Sequence, residues 1–118
     1  MLKFVVVLYR KVDSSRAQFR AYLQEVHGPL AERIPGLRQY IQNHAVDDPV
    51  RPHPGWDAVV ELWWDSRDAM EAAWRSPEGE DATADLERFA DVARTTWSIV
   101  DECVRRAPRA LAPSSNRR

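Results

Sequence analysis

Six side chains in this sequence stand out as candidates to move a proton or hold a small ligand. His27 lies in "EVHGPLAERIPGLRQY", residues 25–40, and Tyr40 ends that run. Histidine is the side chain best matched to proton transfer near neutral pH. A phenol on a sheet commonly packs and makes one hydrogen bond, and it can also orient a substrate carbonyl or hydroxyl. Glu61 is out of place in the apolar run "DAVVELWW". It reads as a second acid/base or as an orienter of His27, or else as half of an ion pair with Arg38 or another cation across a sheet. Tyr9, Trp63 and His44 are candidates to line a substrate site. From spacing alone, His27 fits a commoner role as well, that of a helix cap donating to the last carbonyls. His53, in "RPHPG", reads as a solvent loop residue.

Positioning these groups requires four strands and two helical layers. "KFVVVLY" is rich in β-branched residues and reads as the first strand. Ser15 and Gln18 form a capping-box pattern, and Phe19, Tyr22, Leu23 and Val26 follow at helical spacing. Gly28 and Pro29 should end that helix, with another turn or so in "PLAERIP". "LRQYIQNHA" reads as strand two, the proline-studded "VDDPVRPHPG" as a loop, and "DAVVELWW" as strand three. Asp65 or Ser66 then caps a helix bearing Met70, Ala73 and Trp74. "SPEGE" interrupts it, and a further helix places Ala82, Leu86, Phe89 and Ala93 on one side. "TTWSIVDECV" is strand four, with Cys103 buried near its end. The order βαββαβ predicts an α+β, ferredoxin-like fold with a four-stranded antiparallel sheet and both helical layers on one face.

Such a sheet has a second face. In strand three Asp57, Val59, Glu61 and Trp63 alternate with Ala58, Val60, Leu62 and Trp64. Large apolar and ionisable groups mix on one side, which suits a partner surface or ligand cavity better than open water. A homodimer would cover it, since most oligomers are symmetric.

The bulk composition narrows the function. The 118 residues, 44% hydrophobic and 30% charged, fit one domain with a modest core. No apolar run reaches the roughly 18 residues of a membrane span, and the N-terminal run is too short for a signal peptide. A single cysteine, Cys103, points to a reducing cytoplasm. The net charge is −1, but residues 105–118 carry five arginines and no acid. That segment reads as a disordered, solvated tail beyond a domain of residues 1–104. The acidic remainder argues against nucleic acid as a partner. The sequence holds no glycine-rich phosphate loop, nucleophile elbow, paired cysteines or metal-ligand pattern.

"SSRAQFRAYLQEVHGPLAERIPGLRQYIQNH", followed by "GWDAVVELWWDSRDAMEAAWRSPEGED", resembles the EthD family of dimeric α+β barrel proteins. The resemblance spans strands one to four and omits the tail. It implies the ferredoxin-like fold, a homodimer whose free sheet faces meet as a barrel, and a ligand pocket in each subunit. Members similar to methylmuconolactone isomerase carry a histidine after the first helix and a tyrosine on the second strand in the site. His27 and Tyr40 match those positions. Relatives mostly use no cofactor, although the wider superfamily includes heme binders and cofactor-free oxygenases. The expectation is therefore a cofactor-free lyase or isomerase on a small aromatic, lactone or polyketide-like substrate. In it His27 moves the proton, Tyr40 holds the oxygen and Glu61 assists. The rivals are a cofactor-free or heme-dependent monooxygenase and a non-catalytic ligand-binding dimer.

Overall fold

Two valine-rich runs form the centre of the fold in the computed structural model, which describes residues 1–51 and 55–108. His53 and residues 109–118 of the expected tail lie outside that description. Strands β1 (Leu2–Leu8) and β3 (Ala58–Trp64) pair antiparallel, with Phe4 opposite Leu62 and Val6 opposite Val60. β2 (Gln39–His44) flanks β3, and β4 (Thr96–Val100) flanks β1, giving the order β2-β3-β1-β4. Every neighbouring pair is antiparallel. Between β1 and β2 run α1 (Arg16–Tyr22), a π-helical turn (Leu23–His27) and α2 (Gly28–Ala31). Between β3 and β4 run α3 (Arg67–Arg75) and α4 (Pro77–Phe89). This is the ferredoxin-like α+β fold that the order of elements predicts.

Strand alternation gives the sheet two unlike faces. Ala58, Val60, Leu62 and Trp64 are buried with Val6, Leu8, Phe19, Leu23, Met70 and Phe89 under the helices. A fully buried side chain of this size contributes roughly 1.5–3 kcal/mol. Trp64 also satisfies its indole N–H by donating to the Pro35 carbonyl at 3.1 Å. The other face carries Lys3, Val5 and Val7 of β1 opposite Trp63, Glu61 and Val59 of β3. It has the mixed character the alternation implies. Lys3 Nζ lies 2.8 Å from Glu61 and 5.0 Å from the centre of the Trp63 ring.

The helix before His27 departs from the sequence reading. Its start is as expected: Gln18 N–H donates to Ser15 Oγ at 3.0 Å, and Ser15 N–H donates to Gln18 Oε1 at 2.9 Å. It does not end at Gly28. That residue is right-handed helical (φ −53, ψ −51), and its N–H reaches back to the Leu23 carbonyl. This is one residue further than in an α-helix, so the turn absorbs an extra residue. Pro29, which lacks an N–H, then falls in the first turn of α2, where no donor is required. The extra residue rotates the inward phase. Helical spacing puts both Val26 and His27 on the inner side; Val26 is 44% exposed, whereas His27 is only 8% exposed. Phe19, Leu23 and His27 share the buried face.

Three more boundaries differ. Ser66, one of the two expected caps, receives Ala69 N–H at 3.1 Å. "SPEGE" does interrupt the helical segment, but only at Ser76; residues 77–80 already form the first turn of α4. Ser76 ends α3 and caps α4 by accepting from Gly79 N–H at 3.0 Å. Gly79 passes so close to α3 that a Cβ there would collide with the Ala73 carbonyl. α4 stops at Phe89, and Ala90 is extended in a bridge to Arg10, so Ala93, expected inside, is exposed. β4 stops at Val100, which leaves Cys103 exposed where the sequence reading buried it. Among the described residues no helix is long and apolar enough to cross a membrane.

Candidate functional site

The helices do not close fully on the sheet. Between them lies a cavity of about 530 Å³, walled by Phe4, Val60, Leu62, Trp74, Leu86 and Trp97. This is an ordinary size for a small-molecule site, and an apolar lining with few polar groups is the usual composition. His27 and Tyr40 both line it. His27 arrives from the π-helical turn. Tyr40 arrives from β2, opposite Leu62 and therefore on the helix-covered face. The two residues singled out by sequence thus meet on one apolar space.

Behind His27 stands a residue the sequence reading did not single out. Asp85, in α4, is 3% exposed. Its Oδ2 lies 3.0 Å from His27 Nδ1, and its Oδ1 accepts from the Tyr22 hydroxyl at 2.8 Å. The His27 ring also packs against Phe89, centre to centre 4.9 Å, and the Tyr22 ring stacks on Phe89 at the same distance of 4.9 Å. An ionised carboxylate only accepts, so Nδ1 carries the proton and Nε2 keeps its lone pair. Among the described residues no hydrogen bond engages Nε2. An imidazole held in this way can act as a general base, with the carboxylate orienting it.

The other sequence candidates lie elsewhere. Glu61 and Trp63 are on the opposite face of the sheet, because they alternate with the inward Val60, Leu62 and Trp64. Glu61 pairs with Lys3 and not with Arg38, which lies 3.6 Å from Asp65. Glu61 therefore does not orient His27; Asp85 does. Tyr9 packs under the Arg94 guanidinium, 4.1 Å from its ring centre, outside the cavity. His44 shares Tyr40's side of β2, but its Nε2 contacts Gln42 at 3.0 Å and it does not reach the cavity wall. Asp85 had a signal in the sequence. It falls three residues after Ala82 and four before Phe89, at a buried phase of an amphipathic helix. Trp74 and Trp97 join the cavity from α3 and β4. Among the described residues no group of three or more His, Cys, Asp or Glu is placed to hold a metal.

A family model described as EthD domain matches residues 11–93. The chain belongs to the EthD domain family. An uncharacterized 11.0 kDa protein in the thcB-thcC intergenic region of Rhodococcus erythropolis is 30% identical over 104 residues, covering 88% of this chain and 98% of its own. An ethyl tert-butyl ether D (EthD) family protein from Bacillus halodurans is similar in structure, with TM-score 0.72 and 26% identity. That match covers 87% of this chain and 100% of the other. SnoaB, a cofactor-independent oxygenase from Streptomyces nogalater, shares the fold at TM-score 0.61 and 16% identity, covering 90% of this chain and 94% of its own.

In this EthD domain, burial sets the protonation states of the two cavity groups. It pushes the His27 imidazolium towards losing its proton and outweighs the opposing pull of Asp85, so the pKa falls below the ordinary value. It pushes the Tyr40 phenol upwards, against a smaller downward effect of the Gln42 hydrogen bond. Near neutral pH these directions favour a neutral His27 imidazole and a protonated Tyr40 phenol. The same shift links stability to pH. An unfolded histidine titrates near 6.5, and folded His27 titrates lower. Between the two values the unfolded chain holds more protons. Stability is therefore complete above about pH 6.5 and falls as pH drops through the folded value. His44, lowered by burial and by Arg20, adds in the same direction. Urea unfolding at pH 7.5 and 5.5 is expected to show this loss, and His27→Gln to show a smaller one. An equal pH dependence in the variant would contradict the assignment.

Proposed function

We propose that this EthD-domain protein is a cofactor-free lyase or isomerase acting by general acid/base catalysis on a small aromatic, lactone or polyketide-like substrate. The observation that carries this reading is the pairing of an Asp85-backed imidazole with a protonated phenol on one apolar cavity. His27 Nε2 takes a proton from a carbon beside a carbonyl. The electron pair moves to the carbonyl oxygen, and the Tyr40 hydroxyl donates to the enolate that results. Returning the proton to another atom completes an isomerisation; attack of the enolate carbon on a second carbonyl of the same molecule, whose oxygen takes the bonding pair and then the proton from His27, completes a cyclisation. Expelling hydroxide, protonated by His27 to water, completes a dehydration. Loss of carbon dioxide from a β-keto acid would leave the same enolate for Tyr40 to hold. Low-dielectric walls strengthen such contacts to developing charge.

A carrier role without chemistry would leave His27 bonded to backbone. Its bond to a carboxylate side chain supports the enzyme reading instead. Likeness of fold to SnoaB supports a second reading, in which the same base ionises an electron-rich phenol that then reacts with dioxygen. Both readings take a small molecule as partner and no nucleic acid or membrane, and both place the protein in the cytoplasm.

Activity on a panel of enolisable ketones, lactones and hydroxylated aromatics separates the readings. His27→Ala is expected to lower kcat/KM by about 10²- to 10⁴-fold, the usual contribution of positioned proton transfer. Asp85→Asn is expected to lower it by at least about 10²-fold through the wrong tautomer. Unchanged turnover in His27→Ala would remove it from the mechanism. Oxygen uptake matching product formation would transfer the reaction to the second reading.

The uncovered sheet face, with Lys3, Val5, Val7, Glu61 and Trp63, supports a homodimer in which a second copy covers it. Sedimentation at micromolar concentration is expected to report a dimer. Single chains would refute it.

A further inference from the structure

An amide sets the direction of the hydrogen bond at Tyr40. Gln42 follows Tyr40 by two residues on β2 and shares its side of the sheet. Its Nε2 lies 2.9 Å from the Leu23 carbonyl oxygen and 2.9 Å from the Tyr40 hydroxyl oxygen. Its Oε1 lies 3.0 Å from His44 Nε2. The Leu23 carbonyl can only accept, so the NH₂ end of the amide must face it. A flipped amide would set two acceptor oxygens against each other. One NH₂ hydrogen is therefore spent on Leu23 and the other on Tyr40, while His44 donates to Oε1.

The Tyr40 oxygen thus receives a hydrogen bond, and its own proton is not shared with Gln42. Tyr40 lines the cavity, so that proton is available to a ligand there. The π-helical turn supports this arrangement, since Leu23 is its first residue. Gly28 leaves room for the amide. A Cβ at Gly28 would come within 3.1 Å of both Gln42 Nε2 and the Leu23 oxygen.

We propose that Gln42 is a positioning residue that commits Tyr40 to donate to a charged ligand oxygen, so that the cavity takes enolates and phenolates in preference to their neutral forms. The inference rests on the reading of this cavity as the acid/base site and names the ligand class it takes. The gain comes from a donor aimed in advance at the oxygen where charge develops.

The test is binding, not turnover. The full chain is titrated with para-nitrophenol across pH, and absorbance gives separate affinities for phenol and phenolate. Wild type is expected to hold phenolate at least about tenfold tighter than Gln42→Glu or Tyr40→Phe, while affinity for neutral phenol changes by less than about threefold. In Gln42→Glu the carboxylate accepts the Tyr40 proton and repels the anion. Gln42→Met removes both donors without adding charge and is expected to lose phenolate affinity in the same direction. It keeps the test open should the glutamate variant not fold. Equal phenolate affinity in wild type and the Gln42 variants overturns the proposal, as does equal weakening of phenol and phenolate. Because no turnover is measured, failure here is distinguishable from failure of the acid/base mechanism.

Discussion

The contact between His27 Nδ1 and the Asp85 carboxylate holds the functional reading together. It joins the turn after α1 to α4, two elements far apart in sequence, above the sheet. A carboxylate as buried as Asp85 is costly to strand. Leaving a buried polar group without a partner costs about 1–3 kcal/mol, and more for a charged one, while a hydrogen bond to a charged group returns about 1.5–3 kcal/mol. Asp85 meets this cost with two donors, Tyr22 and His27, and the Arg88 guanidinium lies 3.6 Å away. The cost of burial becomes a constraint on geometry, because the imidazole satisfies Asp85 in only one tautomer. That tautomer leaves Nε2 basic.

The π-helical turn makes the contact possible. His27 follows Leu23 by four residues, so helical spacing already keeps it on the inner side, with Val26 beside it. The wide turn leaves His27 inward and Val26 exposed. The same widened turn presents the Leu23 carbonyl to Gln42, which fixes Tyr40. One local irregularity, accommodated by the sequence Gly28-Pro29, thus bears on the placement of both His27 and, through Gln42, Tyr40. Wide turns of this kind recur at functional sites because they re-aim side chains that a regular helix would misplace.

Most of the fold was legible in local patterns. The alternation in β3 separated Asp57, Val59, Glu61 and Trp63 from Ala58, Val60, Leu62 and Trp64 as observed, but not which set faces the helices, since a slip of one residue reverses every facing. Ser15 and Gln18 marked the start of α1. Less of the site was legible. His27 and Tyr40 were visible as residue types, and the resemblance raised them above the commoner role of a cap. Helical periodicity placed Val26 inside because a period of 3.6 does not foresee an inserted residue. Glu61 drew notice as an acid in an apolar strand, yet alternation put it across the sheet with Lys3. Asp85 went unnoticed for the opposite reason. It lies among Glu80, Asp81 and Glu87 on a charged helix, and only its phase set it apart. Cys103 and Ala93 failed because the ends of β4 and α4 depend on partners distant in sequence.

The central claim is that Asp85 fixes the neutral, Nδ1-protonated form of His27. Nitrogen-15 NMR of the histidine rings at pH 7.5 tests it directly. The account predicts that one histidine shows a protonated Nδ1 and an unprotonated Nε2, and that this signature is lost in His27→Gln and altered in Asp85→Asn. A His27 that is doubly protonated at that pH, or that carries its single proton on Nε2, would contradict it.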